Sequence, residues 1–484
     1  MHKRFVLNIV SRILMVVCYT MLFPLGWALA DDYHGKEASA FIVTILLGIF
    51  VSILVRVLLP IKKKDYQRIN AKDGLAIVGL SWVFLSLLGA LPLYLSQATA
   101  TYTDAFFEIT SGFTTTGSTI FTNIEALPRG ILFWRSLTHW LGGMGIIVLY
   151  IALLPALGTN AFQLYKAEAP GLSVERVGPR LKDTAKYLWG VYFLLTFVEV
   201  VLLYMAGMPL FDSLCHTFGT IATGGFSTKN ASMAAYGNTV QWIVLVFMFL
   251  AGTNFILHFQ ALRGNFKAFF RNEEFKVYVI VILLLIPLFS FFLGQEHLSQ
   301  KPFLDSAFQI VAILTTTGYT TVNFDLWPTL LKFILVVLMI VGGCGGSTGG
   351  GMKMIRILLS VKTALRSGMQ TVFPNAILPV KFNKRPISEK MIMAVSSYFI
   401  IFMFLIVGGS LGFIITEKCD LVTAVTAAIS ALSNIGPGLE KVGAIKNYAW
   451  VSMQGKWLLT FLMLAGRLEL YSILILFLPA TWKK

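Results

Sequence analysis

Four times along this 484-residue chain, a residue able to cap a helix N-terminus is followed thirteen positions later by a glycine. The runs are Asp104–Gly117 (DAFFEITSGFTTTG), Asp212–Gly225 (DSLCHTFGTIATGG), Asp305–Gly318 (DSAFQIVAILTTTG) and Thr423–Gly436 (TAVTAAISALSNIG). Each opens on a cap-type residue and offers only about two and a half turns of apolar helix. A membrane crossing takes about 20 apolar residues. Such a segment enters a bilayer and turns back, and four of them predict a ring of backbone carbonyls around a pore.

The composition places the chain in a membrane. It is 56% hydrophobic and 13% charged, with mean hydropathy +0.76, against about 25% charged residues in soluble proteins. The length leaves room for about ten spans. The formal net charge of +16 does not indicate nucleic-acid binding, because the cations are not gathered on a soluble domain. They sit in loops: Lys62, Lys63, Lys64, Arg68 and Lys72; Lys166, Arg176, Arg180, Lys182 and Lys186; Arg263, Lys267, Arg271 and Lys276; Lys381, Lys384, Arg385 and Lys390; Lys483 and Lys484. The alternating loops are acidic or weakly charged, as at Asp31-Asp32 and Asp104. This positive-inside pattern puts both termini in the cytoplasm and the glycine turns nearer the outside. It also favours contact with anionic lipid headgroups. Four cysteines and six histidines show no metal-site or disulfide spacing.

The N-terminal run, ending in Ala28-Leu29-Ala30, has the form of a signal peptide. Arg12 inside it favours the alternative, a retained span followed by a second from about Ala38 to Pro60. Residues 1–72 then form a two-helix hairpin, followed by repeats over 73–186, 187–275, 276–388 and 389–484. Each repeat reads as outer helix, short helix, glycine turn, inner helix. The outer helices are near Leu75–Leu95, Tyr187–Ala206, Val277–Leu293 and Met391–Thr416; the inner ones are near Ile131–Leu157, Val240–Leu262, Thr329–Ser360 and Trp457–Pro479. The expected fold is an all-α polytopic membrane protein, with four pseudo-symmetric helix–pore-helix–helix repeats around one pore and two extra N-terminal transmembrane helices.

A cation entering such a pore sheds water, and backbone carbonyls replace that water. The candidate ion-binding residues are Thr115, Thr116 and Gly117; Thr223, Gly224 and Gly225; Thr316, Thr317 and Gly318; and Asn434, Ile435 and Gly436. Glycine permits the backbone angles that turn carbonyls inward. Asp104, Asp212, Asp305 and Thr423 are the expected pore-helix caps. The helix C-termini then face the turns with partial negative charge. No carboxylate ring accompanies them, which suits a monovalent ion better than a divalent one.

Within the third inner helix, Gly342-Gly343-Cys344-Gly345-Gly346-Ser347-Thr348-Gly349-Gly350-Gly351 breaks the apolar run. It is not a phosphate-binding loop, because Met352 separates Gly351 from Lys353. A packing kink is one reading. The functional one is a mobile gate beneath the filter, built on Gly345, Gly346, Ser347, Thr348 and Gly349. Arg467 lies in the last span, roughly 16 Å below the outer edge. An arginine at that depth usually faces protein or a watery cavity. It reads as a positive plug, joined by Lys353, or as a partner for Glu469 or another acid.

These residues resemble the Trk/Ktr/HKT superfamily of cation transporters, most closely its bacterial TrkH-type potassium-uptake subunits. The resemblance covers essentially the whole chain. It rests on SGFTTTGST (Ser111–Thr119), HWLGGMGIIVL (His139–Leu149), ATGGFST (Ala222–Thr228), GGCGGSTGGGMKMIRIL (Gly342–Leu358), SNIGPGL (Ser433–Leu439) and GRLEL (Gly466–Leu470). It implies filter glycines at Gly117, Gly225, Gly318 and Gly436, a gating loop at Gly342–Gly351 and a barrier arginine at Arg467. It further implies K+ as the transported ion, a homodimer, and a cytosolic TrkA-like nucleotide-binding regulator. Rubidium, close to potassium in size, is expected to pass. The competing reading within transport is a Na+- or H+-coupled symporter, with Glu108 and Glu199 as intramembrane acids. A membrane enzyme lacks a catalytic cluster. A pump's channel-like subunit would co-purify with an ATPase.

Overall fold

The computed structural model describes residues 2–32, 35–61, 70–153 and 181–482. The basic residues Lys62, Lys63, Lys64, Arg68, Lys166, Arg176, Arg180, Lys483 and Lys484, and the first inner helix beyond Leu153, lie outside the described residues. Apart from one short β-hairpin at Lys381–Pro386, the regular structure among the described residues is helical.

The N-terminal run forms α1 (Lys3–Thr20) and α2 (Leu22–Asp31), and α3 (Lys36–Leu58) returns beside them. Four outer helices follow: α4 (Ala71–Leu95), α7 (Leu181–Met205), α11 (Glu273–Gln295) and α15 (Glu389–Glu417). Each precedes a short helix: α5 (Tyr102–Phe113), α8 (Leu210–Ile221), α12 (Pro302–Leu314) and α16 (Leu421–Ser433). The short helices are 12 or 13 residues long. None crosses a bilayer alone, and each is almost wholly buried within the protein, where backbone at membrane depth is tolerated.

The helix starts correct one expectation. The N-caps are Thr101, Pro209, Lys301 and Asp420, not Asp104, Asp212, Asp305 and Thr423. A cap needs non-helical backbone, with its side chain reaching back to the first turn. Thr101 and Asp420 do this, accepting from the amides of Asp104 and Thr423. The helices thus begin a turn earlier, and the four expected caps sit inside the first turn, freeing their side chains for other partners.

The inner helices are less regular than expected. The first is α6 (Arg129–Leu153). The second splits into α9 (Asn238–Ala251) and α10 (Phe255–Leu262), bent by 99°. Thr253 Oγ1 donates to the Phe249 carbonyl, and Asn254 caps the new helix at Ile256. The third splits into α13 (Thr329–Val341) and α14 (Met354–Val372) around the glycine-rich loop. The fourth, α17 (Met453–Arg467), turns by 118° into Tyr471–Phe477, where Glu469 and Leu470 take left-handed backbone. Among the described residues, six helices are long and apolar enough to cross a membrane, or up to eight if each bent pair counts as one span. The sequence expectation of about ten counted all four inner helices as crossings and foresaw a break only in the third, not the bends in the second and fourth.

One apolar core joins repeats two to four, and a second packs α1 and α3 against repeat one. The outer helices turn Phe197, Leu284, Phe404 and Ile415 outward. In a bilayer that apolar belt faces lipid rather than water.

Candidate pore and gate

The four turns share one backbone signature. The first residue after each short helix's C-cap, or the C-cap itself in repeat four, has positive φ: Thr115 (52°), Thr223 (55°), Thr316 (62°) and Asn434 (57°). Two residues on, Gly117 (84°), Gly225 (80°), Gly318 (75°) and Gly436 (101°) do the same. The turns also meet in cyclic order. A methyl carbon built on Gly117 would stand 2.2 Å from the Gly224 carbonyl oxygen; on Gly225, 2.0 Å from that of Thr317; on Gly318, 1.8 Å from that of Ile435; and on Gly436, 2.8 Å from that of Thr116. Repeat one abuts two, two abuts three, three abuts four, and four closes on one.

The four carbonyls at these seams, on Thr116, Gly224, Thr317 and Ile435, accept no hydrogen bond among the described residues. All four residues are buried. Buried carbonyls are nearly always paired, so four such carbonyls without protein donors stand out among the described residues. The helices behind them end without basic residues in the last turn, which leaves their negative ends uncompensated. The Gly436 carbonyl differs. It accepts from Ser118 Oγ (3.2 Å), Ser430 Oγ (2.8 Å) and the Tyr448 hydroxyl (2.8 Å), so protein donors occupy its lone pairs.

The first-turn residues of the short helices hold the strands leaving the four turns. Asp212 accepts from Thr228 Oγ1 at 2.7 Å, and Asp305 from Thr321 Oγ1 at 2.9 Å. Thr423 Oγ1 accepts from the Lys441 amide at 3.3 Å. Repeat one departs from this pattern. Asp104 pairs with Lys456 of α17 at 2.6 Å, joining the fourth repeat to the first. Glu108 takes over the strand, accepting from Thr119 Oγ1 and the Ile120 amide.

Directly below lies the glycine-rich loop. Its Gly350 amide donates to Thr316 Oγ1 at 2.6 Å. Thr348 Oγ1 donates to the Ile221 carbonyl at the end of α8, at 2.9 Å. A methyl on Gly350 would strike the Ser433 carbonyl at the end of α16. The loop therefore seats against three of the four short-helix ends. Arg467, 3% exposed, bridges it to the first repeat, donating to the carbonyls of Thr348 (2.7 Å) and Gly142 (2.9 Å). Its expected alternative partner Glu469 pairs instead with Arg356 at the start of α14. Lys353 turns back to the Gly349 carbonyl. Gly345 is held at its amide by Glu274, and the Gly346 carbonyl accepts from the Phe255 amide at 3.1 Å. Ser347 Oγ donates to the Cys344 carbonyl at 2.6 Å. A small cavity remains beside Gly349–Gly351, Lys353 and Arg467.

The sequence profile of the TrkH family, described as a cation transport protein, matches residues 42–484. The chain belongs to the TrkH family. It is 38% identical over 491 residues to the Trk system potassium uptake protein TrkH of Salmonella typhimurium, covering all of both chains. It is 32% identical over 494 residues to the Trk system potassium uptake protein TrkG of Escherichia coli K12, covering all of this chain and 99% of that one. The crystal structure of the potassium transporter TrkH from Vibrio parahaemolyticus superposes with a TM-score of 0.88 at 35% identity, over the whole of both chains. Those relatives are named as transport proteins, and this TrkH-family chain is a multi-pass membrane protein of the same fold.

Sequence reasoning named Glu108 and Glu199 without their surroundings and missed other groups near the turns. Glu108 forms a fully buried ion pair with Arg135 at 2.7 Å while accepting from the strand after the first turn at Thr119 and Ile120. The pairing spans 27 residues, and no local spacing signals it. His139 links two repeats. Its Nδ1 lies 2.9 Å from the Gly112 carbonyl and its Nε2 accepts from the Phe226 amide at 3.2 Å, which fixes the Nδ1-protonated tautomer. The Tyr319 hydroxyl donates to the His216 carbonyl at 3.0 Å. Glu199 is fully buried, and neither of its oxygens has a hydrogen-bond partner at close range. The adjacent Thr220 donates its hydroxyl to the His216 carbonyl at 2.8 Å.

Proposed function

We propose that this chain takes up potassium across the bacterial inner membrane through a single gated pore. The observation behind this reading is the closed cycle of glycine–carbonyl seams, whose four unpaired carbonyl oxygens suit a partly dehydrated monovalent cation. The named potassium transporters among its relatives support the choice of ion. In this reading rubidium follows the same route, and the loop from Gly342 to Lys353 with Arg467 obstructs it in the resting state. A homodimer with both termini in the cytoplasm, controlled by a TrkA-like nucleotide-binding partner, completes the proposal. The deciding experiment expresses the chain in a potassium-uptake-deficient bacterium on low potassium, with and without a TrkA-like protein. Growth is expected with the partner. Failure in both cases, at good membrane expression, refutes uptake.

Glu199 supports a second reading, H+-coupled symport. It is a fully buried acid within the outer helix of repeat two, and acids at membrane depth mark proton relays in pumps and transporters. Vesicle flux under an imposed potential, with and without a pH or sodium gradient, separates the two. Flux that follows the potential alone favours the pore.

A further inference from the structure

We propose that Glu274 is a positioning residue that clamps the glycine-rich loop in its obstructing position, a role that rests on the reading of that loop as a gate. Glu274 lies in the first turn of α11, in repeat three's outer helix, and is 1% exposed. Its Oε1 accepts two backbone amides, from Gly345 at 2.6 Å and from Ile355 at 3.0 Å. Gly345 lies in the first half of the loop, and Ile355 is in the first turn of α14, which carries the chain away from it. One carboxylate oxygen thus fastens the two flanks of the loop to each other and to a helix that is not part of it.

The other loop anchors act elsewhere. Cys344 and Gly346 bond the backbone at the α9–α10 bend, Thr348 and Gly350 bond the short helices, and Arg467 bonds the loop's tip. Among the described residues, these contacts each hold one point; the entry and exit are joined by backbone bonds from the Met352 amide to the Ile340 carbonyl (3.1 Å) and from the Met354 amide to the Gly343 carbonyl (2.9 Å), and Glu274 ties this junction to α11 from both flanks. A loop of this glycine content has little conformational preference of its own, so its closed shape depends on such fixed points. The same turn of α11 also engages the cytoplasmic side. Glu273 pairs with Lys362 of α14, and its amide donates to Asn383 Oδ1 of the β-hairpin at 2.8 Å. Displacement of α14 against α11 would draw Ile355 off Glu274 and release the loop.

A residue that merely supports the fold would lower flux when removed, whereas a clamp on a closed gate raises it. The test uses the full chain in vesicles without any regulatory partner, with rubidium uptake as one readout. The second readout is labelling of Cys344, buried in the loop beside Gly345, by a membrane-impermeant maleimide from the cytoplasmic side in a Cys419→Ser background. A Cys344→Ser control identifies the labelled site. Loss of hydrogen bonds to a charged acceptor predicts about a tenfold or greater rise in partner-free flux for Glu274→Ala. Labelling should rise in parallel, and Glu274→Gln, which keeps an acceptor oxygen but not the charge, should fall between Glu274→Ala and the parent. Unchanged or reduced flux with unchanged labelling, in protein that elutes as the parent does, overturns the proposal. If Glu274→Ala does not assemble, Glu274→Gln decides by the same two readouts. A parent chain that passes no rubidium or potassium under any condition, while labelling still follows residue 274, refutes the transport reading and leaves the clamp standing.

Discussion

Alanine in place of each seam glycine should damage the pore in an order set by the structure. At Gly318 the added carbon would stand 1.8 Å from the Ile435 carbonyl oxygen, where contacts closer than 3.0 Å are essentially never seen. The two repeats must therefore part by about 1.2 Å. The corresponding displacement is about 1.0 Å at Gly225 and about 0.8 Å at Gly117, but only about 0.2 Å at Gly436. All four positions have positive φ, which costs an L-residue about 1–2 kcal/mol in each case. Strain is thus common to the series, and displacement distinguishes its members. The obstacle at each site is backbone, which cannot swing aside as a side chain can. A misplacement of about 1 Å costs about a hundredfold in a well-ordered catalytic site, and a carbonyl ring that must match an ion's lost hydration faces the same tolerance. Gly318→Ala and Gly225→Ala should abolish potassium-selective flux, Gly117→Ala should follow, and Gly436→Ala should be mildest. The assay is rubidium uptake into vesicles under an imposed potential, with sodium as competitor, at matched protein. Equal damage from Gly436→Ala and Gly318→Ala, or undisturbed sodium exclusion in Gly318→Ala, would refute the seam argument.

Three further outcomes are expected. Arg467→Ala removes the bonds to the Thr348 and Gly142 carbonyls and should raise ion flux; unchanged flux at normal surface expression would sink the barrier role. Glu108→Gln leaves the Arg135 guanidinium buried without its partner, a loss of about 3–5 kcal/mol readable as a lower Tm in detergent. The double variant Glu108→Gln, Arg135→Met should recover most of it, and no recovery would show that the pair is not the relevant unit. Asp305→Ala frees Thr321 and the strand beyond the third turn. That loss of about 1–3 kcal/mol should lower both thermal stability and rubidium affinity, and a normal affinity would separate Asp305 from the filter.

What was legible in the sequence follows from what leaves a local mark. The short helices and their glycines recur at a fixed spacing, so the repeat announced itself. The break in the third inner helix was equally plain, because a run of ten residues from Gly342 to Gly351 contains seven glycines. The bends after Gly252 and after Arg467 were not. A single glycine does not distinguish a packing contact from a break, and the left-handed Glu469 and Leu470 carry no composition signal. The caps were placed a turn late because the count began from conspicuous aspartates, two of which, Asp212 and Asp305, instead hold threonines 16 residues further on. Glu274 and Arg467 act on backbone groups 71 to 325 residues away. A main-chain amide or carbonyl has the same appearance in every sequence, so such partners surface only in three dimensions.

The seams also account for the drift of the second and fourth turns from TTTG. The position before the glycine is Thr116, Gly224, Thr317 or Ile435, with no side-chain chemistry common to all four. At the seam itself each presents its carbonyl to its neighbour's glycine. What the cycle demands is therefore a main-chain oxygen and, against it, a residue without a Cβ. Side chains at the preceding position are free to change while the glycine is not. In the fourth repeat Asn434 takes the left-handed angle that threonine takes elsewhere, as asparagine does readily. Its amide then reaches Thr116 Oγ1 at 3.0 Å and the Met463 carbonyl at 2.9 Å, fastening the last turn to the first turn and to its own inner helix. Sequence degeneracy at that turn accompanies a rigid closure of the ring, and replacing Asn434 with alanine should loosen the four-to-one seam alone while the other three keep their geometry.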